Sequence, residues 1–69
     1  MKFSLFEIVV LGIDLPQHKL CRGDTATIVE YYPHPDVDGY SLEVFDVSGE
    51  TMAVITLSES EIESAIPNE

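Results

Sequence analysis

The run from Ala26 to Tyr31 alternates small and β-branched residues, the pattern a curved strand requires. Gly23 stands just before it and supplies a tight turn, because a residue without Cβ takes positive φ at little cost. Residues 14–23 therefore read as a long loop punctuated by Pro16 and Gly23, and residues 25–32 as the second strand. Ahead of the loop, residues 5–12 form the first strand, with Val9 and Leu11 on one face and Ile8 and Val10 on the other. Pro33, Pro35 and Gly39 bracket a turn into a third strand over residues 40–46. Ser48-Gly49 then closes a hairpin into a fourth strand over residues 51–57.

The C-terminal stretch admits two readings. Ser58-Glu59-Ser60-Glu61 is a capping-box pattern, with Leu57 and Ile62 placed to act as a hydrophobic staple. Ile62, Ala65 and Ile66 sit at helical spacing, and Pro67 would stop such a helix. Alternatively, one helical turn leads straight into a short fifth strand over residues 62–66. The strand is the preferred reading, because four strands alone leave an edge to protect. The expectation is an all-β domain over residues 1–69: a small five-stranded SH3-like barrel with a short helical turn before its last strand.

A period of two sorts the side chains. Val9, Leu11, Ala26, Ile28, Leu42, Val44, Ile55, Leu57 and Ile62 are expected inside. Ile8, Val10, Val29, Tyr31, Met52 and Val54 then point outward. Single exposed apolar residues mean little, but a contiguous set marks an interface. These six are the candidate protein-binding residues.

Composition narrows the function. A chain of 69 residues buries roughly 60% of its unfolded surface, which makes a deep catalytic cleft hard to build. Its 45% hydrophobic content still suffices for a core. Cys21 is the only cysteine, so no internal disulfide forms and a reducing compartment is the simpler expectation. Glu7 interrupts the apolar N-terminal run, unlike a signal peptide, and no stretch approaches the ~20 apolar residues of a membrane span. The expected location is the cytoplasm. Thirteen acids face three bases, for a net charge of −10. Lys2, Lys19 and Arg22 hold all the positive charge, while the chain from Gly23 onward carries eleven acids and no base. Such a surface repels nucleic acid and anionic lipid and attracts a cationic partner.

Four groups of residues invite chemistry. His34, Asp36, Asp38 and Gly39 resemble a fragment of a calcium loop, but no bidentate Glu follows at the required spacing; a polar turn explains them. His18 and Cys21 lie near Lys19 and Arg22, whose charge favours a thiolate, yet a structural zinc site needs four ligands. Glu59, Glu61 and Glu63 alternate near the end of the chain, where acids are solvated. Tyr31, Tyr32 and Tyr40 lack the surrounding bases of a nucleic-acid groove and read as packing or as a protein groove. No catalytic residue, metal or cofactor is expected.

The residues Asp14-Leu15-Pro16, His18, Leu20, Arg22-Gly23 and Thr27-Ile28-Val29-Glu30 resemble the signature of a family of small bacterial proteins catalogued as domain of unknown function 4926. Tyr40-Ser41-Leu42-Glu43-Val44, the Gly49 hairpin and Ile55-Thr56-Leu57 match that family in order. Ala26 and Lys19 stand where the family usually has glycine, which implies negative φ at residue 26 and a stiffer loop at residue 19. The resemblance implies an SH3-like barrel and brings no catalytic residues. It also hints at a gene neighbour, in the manner of toxin–antitoxin pairs. The resulting expectation is a non-enzymatic interaction protein that binds a basic protein, as an antitoxin-like neutraliser, or a second copy of itself. The alternatives are a metal- or thiol-dependent enzyme or regulator built on His18, Cys21 and Arg22, and an accessory subunit of a larger assembly.

Overall fold

Five antiparallel strands form a single sheet in the computed structural model, which describes residues 2–66. They are β1 (Ile8–Leu11), β2 (Thr25–Tyr32), β3 (Gly39–Phe45), β4 (Thr51–Ser58) and β5 (Ile62–Ser64), in the order β4-β3-β2-β1-β5. Two 3₁₀ turns, Pro16–His18 and Glu59–Glu61, are the helical elements among the described residues, and no helix there is long and apolar enough to cross a membrane. The C-terminal alternatives resolve in favour of a strand. The capping-box pair forms as well: the Ser58 amide donates to Glu61 Oε1 at 2.9 Å and the Ser58 hydroxyl donates to the same oxygen at 3.1 Å. Ile62 follows in extended conformation.

The strand bounds move where local geometry intervenes. The first strand begins at Ile8 rather than residue 5, because Ser4 to Glu7 make a turn. The Glu7 amide donates to the Ser4 carbonyl at 3.1 Å, and the Glu7 carboxylate accepts from the Ser4 amide at 2.9 Å. Phe6, inside that turn, takes φ 67°. The fifth strand stops at Ser64, two residues short of expectation.

All nine residues expected inside are buried, in one cluster that also holds Phe3, Leu15, Leu20 and Tyr40. Leu15 and Leu20 come from the long loop, where each donates its amide to the other's carbonyl, at 2.9 and 3.1 Å. That bridge closes the loop over one end of the core. Gly23 has φ +95°, as the tight turn demands. Lys19 has φ 58°, in the left-handed region that costs a non-glycine residue about 1–2 kcal/mol. Its departure from the family's glycine is thus a strained position rather than a merely stiffer one.

The sheet curls strongly although it stays open: no pairing joins β4 to β5 among the described residues. In a flat sheet four strand spacings would hold these edges about 19 Å apart. Yet they are linked by the single 3₁₀ turn, which rises only ~2 Å per residue. Curling brings Leu57 and Ile62, from opposite edges, into the same core. It also brings Gly12 so close to the last turn that a Cβ there would meet the Glu61 carbonyl oxygen at 2.9 Å.

Candidate functional site

Register decides which outward residues can act together. Ile8 pairs with Thr27, Thr27 with Glu43, and Glu43 with Val54, so one row crosses the outer face of four strands. Thr27 and Glu43 in the middle separate the apolar residues at its ends. The outer face therefore carries two apolar patches rather than one. Ile8 (59% exposed) is joined by Leu5 and Phe6, lifted outward by the Ser4–Glu7 turn. Val54 (59%) and Met52 (50%) are joined by Phe45 and by Val47, which is fully exposed at the β3–β4 hairpin. Leu5, Phe6, Phe45 and Val47 were not among the sequence candidates. Turn signals mark the exposure of Leu5, Phe6 and Val47, whereas alternation from the buried Val44 places Phe45 outward.

Val10 and Val29 are half-buried. Val10 is held in the β1–β5 ladder opposite Glu63. Val29 is the extra residue of a β-bulge, since the β2–β3 register shifts between Ile28 and Glu30. The bulge corrects the facing expected for Tyr31. One inserted residue reverses the alternation beyond it, so Tyr31 pairs with Tyr40 and packs inward, with ring centroids 5.4 Å apart. Its hydroxyl donates to Asp38 Oδ2 at 2.8 Å.

The acids that looked available for chemistry hold the fold together. Asp38 accepts from Tyr31 and, at 3.2 Å, from the His34 amide. The Tyr31 hydrogen bond foremost, with the His34 amide behind it, holds the Asp38 carboxyl below its ordinary range. The same bond, aided by desolvation, pushes the Tyr31 phenol up. Glu59 Oε2 accepts from the buried Tyr40 hydroxyl at 2.6 Å and from the Lys2 amide at 3.2 Å. Glu61 closes the capping box, and Glu63 pairs with Arg22 at 3.3 Å on the surface.

The loop of the rival reading is pinned through its backbone. Asp24 Oδ2 accepts from the Cys21 amide and Asp14 Oδ1 from the Arg22 amide, both at 2.8 Å. Cys21 is a free, exposed thiol, and His18 lies exposed at the end of the first 3₁₀ turn. Among the described residues no three His, Cys, Asp or Glu side chains are grouped to hold a metal ion. A shallow cavity of about 340 Å³ opens between this loop and the β3–β4 hairpin, lined by Lys19, Leu20, Val44, Phe45, Val47 and Met52 among others. That volume lies at the small end of ligand-binding pockets.

The outer face of the sheet thus carries two exposed apolar patches with Thr27 and Glu43 between them. The chain belongs to the family described as domain of unknown function DUF4926, whose model matches residues 5–64. Comparisons with curated proteins and with solved structures find no match.

Proposed function

We propose that this chain is a non-enzymatic protein-binding module, an SH3-like barrel whose acidic surface draws in a cationic protein. The observation that carries the reading is the charge distribution: eleven acids and no base from Gly23 onward. Long-range attraction steers a basic partner toward such a surface, and contacts at a dry centre then hold it. The patch of Ile8, Leu5 and Phe6 supplies that centre. The barrel description rests on the strong curl and the shared core of the two sheet edges. The most concrete version is an antitoxin-like neutraliser of a small basic protein in the bacterial cytoplasm.

Co-purification from the native host tests it. A basic protein should be recovered in fixed stoichiometry, and its association rate should fall steeply with added salt, because the Debye length is only ~8 Å at physiological ionic strength. Ile8→Asp should release the partner while leaving the circular dichroism unchanged. It is a cleaner probe than Val10→Asp, which would set a new acid against Glu63 in the β1–β5 ladder. Recovery of no basic partner, or binding indifferent to both salt and Ile8, would overturn the proposal. His18→Ala and Cys21→Ser should leave binding intact; loss of binding in either would favour the thiol or metal reading.

A further inference from the structure

The two edges of the sheet are guarded very differently. Strand β5 is three residues long, and the acids Glu61 and Glu63 stand at and just before it. Short length and charge are the usual defences of an edge against further pairing. Strand β4 has neither, and its one irregularity, the register shift at Met52, lies toward the hairpin end and leaves Ala53 to Ser58 regular. Its eight residues, Thr-Met-Ala-Val-Ile-Thr-Leu-Ser, include no charge and no proline and favour the extended state. Its side chains at Thr51, Met52, Val54 and Thr56 are exposed.

The open backbone groups of β4 can be named. The Glu59 amide donates to the Asp38 carbonyl at 2.8 Å, which fixes the phase of the antiparallel ladder. Leu57, Ile55 and Ala53 then point their amides and carbonyls at β3, and Val54, Thr56 and Ser58 point theirs away. The Ser58 amide is taken by Glu61 in the capping box. The amides of Val54 and Thr56 have no partner among the described residues.

We infer that β4 pairs with β4 of a second copy, antiparallel about a two-fold axis at Ile55, to give one continuous ten-stranded sheet. Val54 of one copy faces Thr56 of the other, so both open amides of each strand are satisfied by four backbone hydrogen bonds. The register keeps the acids apart. Paired about Ile55, residues 52–58 of the two copies face one another, and none of them is an acid. The nearest outer-face acid, Glu43, lies one strand in from each edge. Three strand spacings then separate the two Glu43 carboxylates, about 14 Å and beyond the ~8 Å Debye length of physiological salt. A cationic segment is the poorer match to this edge, since β4 offers it no charge along its length. The inference is independent of the proposed partner binding, and it leaves the Leu5, Phe6 and Ile8 patch free.

Sedimentation equilibrium of the intact chain tests it. The wild type should reach twice its 7.7 kDa mass between micromolar and millimolar concentration at physiological salt. It should dissociate more readily at 0.01 M salt, where screening extends over ~30 Å and the net charge of −10 repels. Thr56→Pro removes an outward amide that the chain's own ladder does not use, and should leave a folded monomer. If that variant fails to fold, Val54→Lys serves instead; it lowers the net negative charge, so its loss of pairing would not reflect repulsion. A wild type that stays monomeric at all these concentrations overturns the inference. So does a dimer that persists in folded Thr56→Pro or Val54→Lys. A monomeric wild type whose basic partner is lost in Thr56→Pro would instead assign the edge to that partner.

Discussion

Tyr40 places a fully buried phenol ring at the point where three parts of the chain meet. Its hydroxyl donates to Glu59 at 2.6 Å and accepts from the amides of Lys2 and Phe3 at 3.2 and 3.3 Å. That uses the full capacity of a phenol, one donor and two acceptors. The Phe3 ring packs edge-on against it, with centroids 5.6 Å apart. Tyr40→Phe keeps the ring and strands the three partners. The expected loss is about 1–3 kcal/mol, because hydrogen bonds to charged groups lie at the strong end of the range. Burial first, and the Glu59 bond second, push the Tyr40 phenol above its ordinary value. A raised phenol pKa stabilises the fold fully below the unfolded value of about 10, and the contribution disappears as pH rises through the folded value. Thermal melts should therefore show a constant gap between wild type and Tyr40→Phe up to about pH 10, closing above it. No gap at neutral pH would mean that Tyr40 holds the fold by the packing of its ring alone.

The β3–β4 hairpin shows how an element can depend on one carboxylate. Asp46 Oδ1 accepts from the Ser48 hydroxyl at 2.6 Å, the Ser48 amide at 2.9 Å and the Glu50 amide at 3.0 Å. The Ser48 hydroxyl leads in holding this carboxyl below its ordinary range, followed by the Glu50 amide. Asp46→Asn replaces the charged acceptor and should lower the melting temperature at neutral pH. A depressed folded pKa gives stability that is present above the unfolded value of about 3.9 and lost as pH falls through the folded one. The difference between wild type and Asp46→Asn should accordingly shrink below about pH 4. An unchanged melt at neutral pH would show that the Gly49 turn, with φ +90°, closes the hairpin without Asp46.

Strands of this kind are legible because alternation is a local property. Thr25–Tyr32 lies where the pattern places it, and its buried residues Ala26 and Ile28 are those the period selects. The pattern does not announce an inserted residue, since Val29 looks like any other strand residue until its partner strand is known. Alternation alone therefore places Tyr31 on the outer face, whereas the bulge turns it inward. Leu15 and Leu20, five positions apart in a loop, fit no period; they meet only through a bridge that the loop closes on itself. Of the candidate binding residues, Ile8, Met52 and Val54 are exposed as expected. Their division into two patches follows from Thr27 and Glu43, and that depends on pairing between strands.

At the scale of the molecule, the charge that is proposed to serve recognition must also strain the fold. Thirteen acids and three bases share 69 residues. The described residues form one ion pair, Arg22 with Glu63, and its side chains are 68% and 53% exposed, so it offsets little of the repulsion. Several acids are excused from this tally only in part: Asp38, Asp46 and Glu59 gain from local hydrogen bonds, yet they still repel one another through the field of the whole chain. Compactness raises that repulsion, because folding brings the acids within a radius of gyration of 11.5 Å. An unfolded chain spreads the same charges over a larger volume and suffers less. Screening should therefore stabilise this protein. Its melting temperature should climb between 0.01 M and 0.15 M sodium chloride, as the Debye length contracts from ~30 Å to ~8 Å, and then level off. Choline chloride should act as sodium chloride does at equal ionic strength, since screening depends on charge and not on the identity of the cation. A rise seen with sodium but not with choline would point to cation binding at a particular group of acids. A melting temperature indifferent to both salts would remove self-repulsion from the account of this fold.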